Sequence, residues 1–378
     1  MGRAMDPSLS PVNRGQRRRW WRRQGTPKAG FHYEDANGRP VRAHVDLDRI
    51  KHLVIPPAWT DVRISPYKSS RLQAVGLDGT GRMQYLYHEA FSARQSQKKF
   101  EKIERFGEYL PELRRITSAH LQLPGLMKQR VLAVIVRLIN HLYFRLGSEK
   151  GVARYRTYGV TTLRNHHLRF AKDGGLLFSF DGKHHVHHRR LLVDESLARC
   201  LWELKALRGA TLFKYVGDDG RLHPVHADDV NDYLKSLSAS EFSAKDFRTW
   251  AGTLVVAREL ARLGKATSAR DAKRKIAQAV RAAAAELGNT PAVCRSAYLH
   301  PAVLAAYLKG VTLEDLPHGD AVIRSTQSGY DPDELALLEL FQRARSRRRP
   351  TLMRESVKAP TPEPAMEEFE IIPVTGGT

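Results

Sequence analysis

Two cysteines in 378 residues, Cys200 and Cys294, are too few for a disulfide framework or a four-thiolate zinc site. Acidic residues are also scarce: 40 Asp and Glu face 62 Lys and Arg, a formal net charge of +22. That imbalance favours a polyanionic partner through counterion release, although a ribosomal or membrane-surface protein would share its sign. Long apolar runs are missing as well. The longest, Val131 to Leu142, is interrupted by Arg137 and is too short to span a bilayer, and Met1 to Ala29 holds no apolar signal-peptide core. A cytoplasmic protein with no use for a membrane is therefore expected. The 42% hydrophobic and 27% charged residues that remain are the mixture of a globular protein, long enough for two or three domains.

Residues 1–29 set eight Arg and Lys against Asp6, with Trp20 and Trp21 among them. Such a stretch reads as a disordered, solvated arm, whose indoles also have the chemistry to stack on bases. Residues 30–95 carry short alternating segments with turn punctuation, "NGRPV" at Asn37 to Val41 and "GLDGTGRMQYLYHE", and read as a small β-rich domain. Alternation in Gln84-Tyr85-Leu86-Tyr87 sets Tyr85 and Tyr87 on one face of a strand, either as core or as an exposed surface. From about Lys98 the pattern turns helical. Val131, Val134, Ile135, Leu138, Ile139 and Leu142 form an amphipathic stripe, and Arg145, fourteen residues after Val131, returns to that face. A cation there needs an anion, unless it caps the helix end before Gly147.

"YGVTTLRNHHLRFA" and "GGLLFSFDGKHHVHHRRLL" read as strands, the second turning tightly at Asp181-Gly182 so that Lys183 stands at a hairpin tip. His184, His185, His187 and His188 raise a metal reading. Alternation splits them between two faces with no carboxylate or cysteine beside either pair, so no metal site is assigned. Asp246 to Trp250 opens a further helix, and Ser268 to Leu287 an Ala-rich basic one closed by Gly288. Thr290-Pro291 then start a short helix carrying Tyr298. Residues 326–378 read as a C-terminal helix with the basic run Arg343 to Arg349, then a disordered tail bearing Glu363, Glu367, Glu368 and Glu370 among prolines.

Taken in order, Arg145, Lys183 in its turn, "KDFRTWAGT" with Lys245 and Arg248, and "LGNTPAVCRSAYLHP" with Asn289 and Tyr298 make a specific series. In it the chain resembles the type IB DNA topoisomerases, in particular the short poxvirus and bacterial branch. "IPPAWTDVRISP", "QYLYH", "FRLG", "YGVTTLRN" and "DGKHHVHH" extend the resemblance over about residues 30–310. It implies an α+β protein: a small β-rich N-terminal domain at 30–95 and a larger, mainly helical catalytic domain at 96–325, of the topoisomerase IB and tyrosine recombinase type. The two are expected to close as a C-shaped clamp on double-stranded DNA.

The resemblance further implies Tyr298 as nucleophile, Lys183 as general acid, and Arg145, Arg248 and Asn289 as transition-state stabilisers. Lys245, Gln84, Tyr85 and Tyr87 match DNA contacts, and Asn289 stands where the viral enzymes carry His. No cofactor and no metal is expected, and the protein is expected to be a monomer working on nucleoid DNA. The implied reaction relaxes supercoiled duplex by transient single-strand cleavage through a 3′-phosphotyrosyl intermediate, strand swivelling and religation. One departure is Gly151, where the family commonly carries a DNA-contacting aromatic; Tyr155 and Tyr158 lie close by. Tyrosine recombinases share the chemistry, but their His-x-x-Arg motif here reads Lys245-Asp246-Phe247-Arg248, and no helical arm-binding domain is evident. A catalytically silent DNA-binding protein would account for the charge but not for the retention of all five catalytic positions.

Overall fold

A computed structural model describes residues 12, 15–238, 241–316 and 329–354; the acidic tail and most of the first fourteen positions lie outside the described residues. The chain divides into two units, Met1–Lys102 and Ile103–Thr378. The first is small and sheet-rich, the second larger and mainly helical, an α+β protein.

In the first unit β1 (Trp21–Thr26), β2 (Gly30–Glu34), β3 (Thr60–Ile64), β4 (Leu72–Leu77) and β5 (Met83–Tyr87) pair antiparallel in the order β2-β1-β3-β4-β5. Alternation fixes the register. Trp21 pairs with Ile64, Ile64 with Ala74 and Ala74 with Leu86, and this apolar row closes over Ile50 of α1 (His44–His52). Both turn signals are realised by an aspartate that accepts two backbone N–H groups. Asp35 takes those of Asn37 and Arg39, and Asp78 those of Thr80 and Arg82.

The expected disordered arm through residue 29 is corrected here, because β1 is an interior strand of the sheet. Its two arginines, Arg22 and Arg23, are half-buried. Arg23 donates to the carbonyls of Pro56 at 3.1 Å and Trp59 at 2.6 Å and lies 4.1 Å above the Phe31 ring. Trp21, half-buried, packs on the apolar cluster.

The 33-residue helix α2 (Glu89–Leu121) begins in the first unit and ends in the second, so the units part inside a helix. Pro111 within it has no N–H to give the carbonyl of Gly107, and the Tyr330 hydroxyl donates to that carbonyl instead, at 3.2 Å. The second unit continues with α3 (Lys128–Leu142), α4 (Glu149–Tyr155), β6 (Leu168–Phe170), β7 (Leu176–Asp181), β8 (His187–Leu192) and α5 (Glu195–Ala206). A short hairpin, β9 (Lys214–Val216) and β10 (Leu222–Pro224), precedes α6 (Ala227–Leu237), α7 (Ala244–Leu263), α8 (Ala269–Leu287), α9 (Pro291–Ala297) and α10 (Pro301–Tyr307). The predicted stripe of α3 lies at the centre of the core, and α7 packs along α8. Among the described residues no helix is long and apolar enough to cross a membrane.

The last helix, α11 (Pro332–Arg354), belongs to this core as well. Leu337 and Phe341 are fully buried, and Glu334 accepts from the Trp250 indole at 3.2 Å and from Arg114. The expected strand in "YGVTTLRN" is absent. Val160–Thr162 and Asn165–His167 form 3₁₀ turns and only Leu168–Phe170 pairs, because the chain here is engaged in a backbone crossing described below.

Candidate active site

Arg145 does not sit on the helical stripe. α3 stops at Leu142, and Tyr143 adopts a left-handed conformation (φ 55°) with its N–H on the Ile139 carbonyl at 3.0 Å. The chain then runs extended, pinned by Phe144, which is buried against Phe178, Phe180 and His188. Val160 N–H donates to Arg145 O at 2.7 Å and Thr161 N–H to Leu146 O at 2.8 Å. A side chain on Gly159 would place its Cβ 2.4 Å from the Gly147 nitrogen and 2.5 Å from Arg145 O, so only glycine permits this crossing. The motifs "FRLG" and "YGVTT" are thus two halves of one mount for a guanidinium.

The end of α8 supplies the other half of the site. Gly288 turns left-handed (φ 59°) and Asn289 N–H closes on Ala284 O at 2.9 Å, a Schellman-type stop that leaves the last carbonyls free. Arg248, from the second turn of α7, donates to Leu287 O at 2.7 Å and also to Tyr143 O; Arg145 donates to Gly288 O at 3.2 Å. Both guanidiniums therefore anchor on the negative end of α8. Arg145 also donates to Asn289 Oδ1. Since a guanidinium only donates, the amide oxygen must face it, which turns Nδ2 the other way as a donor. Arg145 Nη1, Arg248 Nε and Asn289 Nδ2 are left buried and without a hydrogen-bond partner.

Tyr298 follows α9 as its C-cap, and its ring centroid lies 5.7 Å from the Arg248 guanidinium. Gly252, one turn along α7 from Arg248, makes room for it: a Cβ there would meet the Tyr298 Cβ at 2.7 Å. The next residue, Thr253, donates its hydroxyl to the Tyr298 carbonyl at 2.7 Å.

Burial lowers the pKa of Arg145 to about 10, helped by the charge of Arg248, and burial lowers that of Arg248 too, against the pull of Tyr298. Both remain cations at neutral pH. Among the described residues no carboxylate is hydrogen-bonded to either. A buried and a half-buried guanidinium side by side, each with an unspent N–H group, suit the binding of an anion. His188 stacks on Phe180 at 5.1 Å and abuts Gly288, and burial together with Arg145 and other nearby cations lowers its pKa to about 4. It is neutral at pH 7.

Lys183 is exposed, with no contact to this cluster among the described residues. Instead of the expected two-residue turn, the loop spans residues 182–186, with Asp181 paired to His187, and His184 and His185 left-handed (φ 64° and 56°). Its base is firm: Gly182 N–H meets Val186 O at 2.8 Å, and Val186 and His188 press on Gly288. The four histidines are dispersed, His187 pairing with Asp181 at 2.8 Å, and among the described residues no three His, Cys, Asp or Glu gather as metal ligands. Lys245 is exposed in the first turn of α7. In the first unit Tyr85 and Tyr87 project side by side from β5, 6.3 Å apart and nearly half exposed, while the Gln84 amide donates to Asp78 at 2.8 Å. Tyr155 is exposed at the end of α4, whereas the Tyr158 ring packs on His167.

Gly252, Thr253, Gly159 and His188 escaped the reading of the sequence. A glycine inside a helical pattern marks close approach by another chain segment, a signal that was available for Gly252. For His188 the signal was its strand phase, directly across from Phe180, masked by the run of histidines.

A family model described as the catalytic core of eukaryotic DNA topoisomerase I matches residues 88–313, and one described as the N-terminal domain of bacterial DNA topoisomerase IB matches residues 30–78. The chain is 28% identical over 294 residues to DNA topoisomerase 1B of Acanthamoeba polyphaga mimivirus, which covers 76% of this chain and 87% of that protein. It is 22% identical over 262 residues to DNA topoisomerase I of monkeypox virus, covering 68% and 80%. With DNA topoisomerase 1 of Mycosarcoma maydis it shares 27% over 190 residues, 45% of this chain and 18% of that one. With the catalytic core matched over more than half its length, behind a matching N-terminal domain, the chain belongs to the type IB DNA topoisomerases, enzymes of the isomerase class.

Proposed function

We propose that a single chain relaxes supercoiled duplex DNA by cutting and resealing one strand through Tyr298, with neither nucleotide nor metal as co-reactant. The observation that carries this reading is the convergence of three buried, unpartnered donors, Arg145 Nη1, Arg248 Nε and Asn289 Nδ2, in the cluster that holds the Tyr298 ring. A phosphodiester carries one negative charge, and attack on phosphorus adds charge to its non-bridging oxygens, where fixed donors in a dry site act most strongly. Arginine suits that task because it keeps its charge and its planar fork.

The Tyr298 phenol gives up its proton to solvent water as its oxygen bonds to phosphorus. The bond from phosphorus to the 5′ oxygen breaks, and that oxygen takes up a proton to leave as a hydroxyl. The product is a 3′-phosphotyrosyl ester. A phenol is also a fair leaving group, so the ester keeps the energy needed for the 5′-hydroxyl to reverse the step after the free end has swivelled. Lys183 is the proposed donor of the second proton, brought in by its loop when DNA is bound. Lys245, Gln84, Tyr85 and Tyr87 are proposed DNA contacts. Tyr85 and Tyr87 offer exposed ring faces, and Gln84 is held in place by Asp78.

The test is supercoiled plasmid with EDTA and no ATP. The enzyme is expected to relax it and to leave a denaturation-stable adduct at a 3′ end, whereas Tyr298→Phe binds DNA without forming one. Mobility shift without relaxation, or an adduct that survives Tyr298→Phe, overturns the proposal.

A further inference from the structure

The two residues after the nucleophile are held as tightly as the nucleophile itself. The Thr253 hydroxyl, which donates to Tyr298 O at 2.7 Å, also accepts from His300 N–H at 3.1 Å, so one side chain of α7 brackets the backbone on both sides of Leu299. The His300 ring is only 4% exposed and is engaged on three sides. Its Nδ1 accepts from Ala302 N–H at 3.1 Å, which caps α10 and puts the ring proton on Nε2. Nε2 lies 3.2 Å from Glu104 Oε1 on α2. The ring packs 4.3 Å from Phe341 of α11. Glu104 is buried in turn, and its second oxygen takes Nε of Arg345, also from α11, at 2.6 Å. A buried carboxylate needs such partners, and here they come from the nucleophile's own segment and from the last helix.

We infer that Thr253 and His300 are positioning residues for Tyr298, and that Glu104 with α11 forms the abutment against which they hold it. This rests on Tyr298 being the nucleophile. Near-attack geometry tolerates little slack, and a displacement of about 1 Å is enough to cost roughly a hundredfold in rate. Among the described residues the Thr253 hydroxyl bonds the backbone of Tyr298 and His300 and none of the unpartnered donors, so the effect is expected on the placement of the phenol and not on DNA affinity.

The experiment measures single-turnover cleavage at saturating DNA, DNA Kd and Tm for the full chain carrying Thr253→Val, Thr253→Ser, His300→Ala or Leu201→Ala. Leu201 is buried in α5, which none of these contacts involves, and serves as the control for lost stability. Thr253→Val and His300→Ala are expected to slow cleavage by about tenfold or more with Kd unchanged. Thr253→Ser, which keeps the hydroxyl, is expected to cleave at close to the parent rate, as is Leu201→Ala despite a lower Tm. Parent-like cleavage by Thr253→Val or His300→Ala, or equal slowing by Leu201→Ala, overturns the inference. Mapping the adduct separates the two failures. An adduct on Tyr298 with fast variants sinks only this inference, whereas an adduct elsewhere removes the proposed function beneath it.

Discussion

A glycine inside a helix costs roughly 1 kcal/mol relative to alanine, and Gly252 sits in the interior of α7. Propensity alone would therefore make Gly252→Ala stabilising. The structure reverses the sign, because the added methyl would stand 2.7 Å from the Tyr298 Cβ and 3.1 Å from Leu287 Cδ1. Overpacking of that kind typically costs about 1–3 kcal/mol, and relief comes only by moving Tyr298 or the end of α8. Gly252→Ala is expected to bind DNA normally and to cleave about tenfold to a hundredfold more slowly, as read from gel shift and single-turnover adduct formation. Asn289 is a second case where one atom decides. The resemblance picks out the residue but not its orientation; the Arg145 guanidinium takes the amide oxygen and leaves Nδ2 as the unspent donor.

At the level of elements, the site hangs on three chain reversals: the left-handed stop of α3 at Tyr143, the stop of α8 at Gly288, and the loop between β7 and β8. The first two are set by hydrogen bonds within the fold and hold their residues without DNA. The third holds only its base, so Lys183 stands free while Val186 and His188 are fixed against Gly288. Removal of a general acid ordinarily costs about 10²- to 10⁴-fold. Lys183→Ala is expected to lose cleavage on that scale on ordinary DNA and to recover most of it on a substrate whose bridging 5′ oxygen is sulfur, a leaving group that needs no proton. Equal loss on both substrates would assign Lys183 a different role.

For the molecule as a whole, two buried imidazoles tie stability to pH. Burial and nearby cationic groups lower His188 and His167 to about 4, against 6.5 for the free side chain. The unfolded chain therefore takes up protons first as the pH falls. The contribution of each residue is complete above about pH 6.5, declines below that value and is gone near pH 4, adding at most about 1.4 kcal/mol of lost stability per pH unit. Urea unfolding at pH 7.5, 6 and 5 should show the decline, and His188→Gln should flatten it; a variant with the same slope as the parent would count against a buried neutral His188.

Much of this protein was legible in its residues. The helix of Val131 to Leu142, the Gly288 stop, the Thr290-Pro291 start and the paired faces of Tyr85 and Tyr87 follow from periodicity and capping, which act over a few neighbouring residues. The identities of the charged groups in the site were also visible as an ordered series. Composition misled where long-range contacts outweigh charge: Arg23 of β1 finds carbonyls 33 and 36 residues away, and "YGVTT" gives up a strand to cross the backbone of Arg145. Only the tertiary structure decided that Arg145, Arg248 and Asn289 each keep a buried, unspent donor, that Gly252 and Thr253 meet Tyr298, and that the His300 ring packs on the final helix. Hydrogen-bond satisfaction and van der Waals exclusion are properties of atoms brought together across the chain, and no local pattern encodes them.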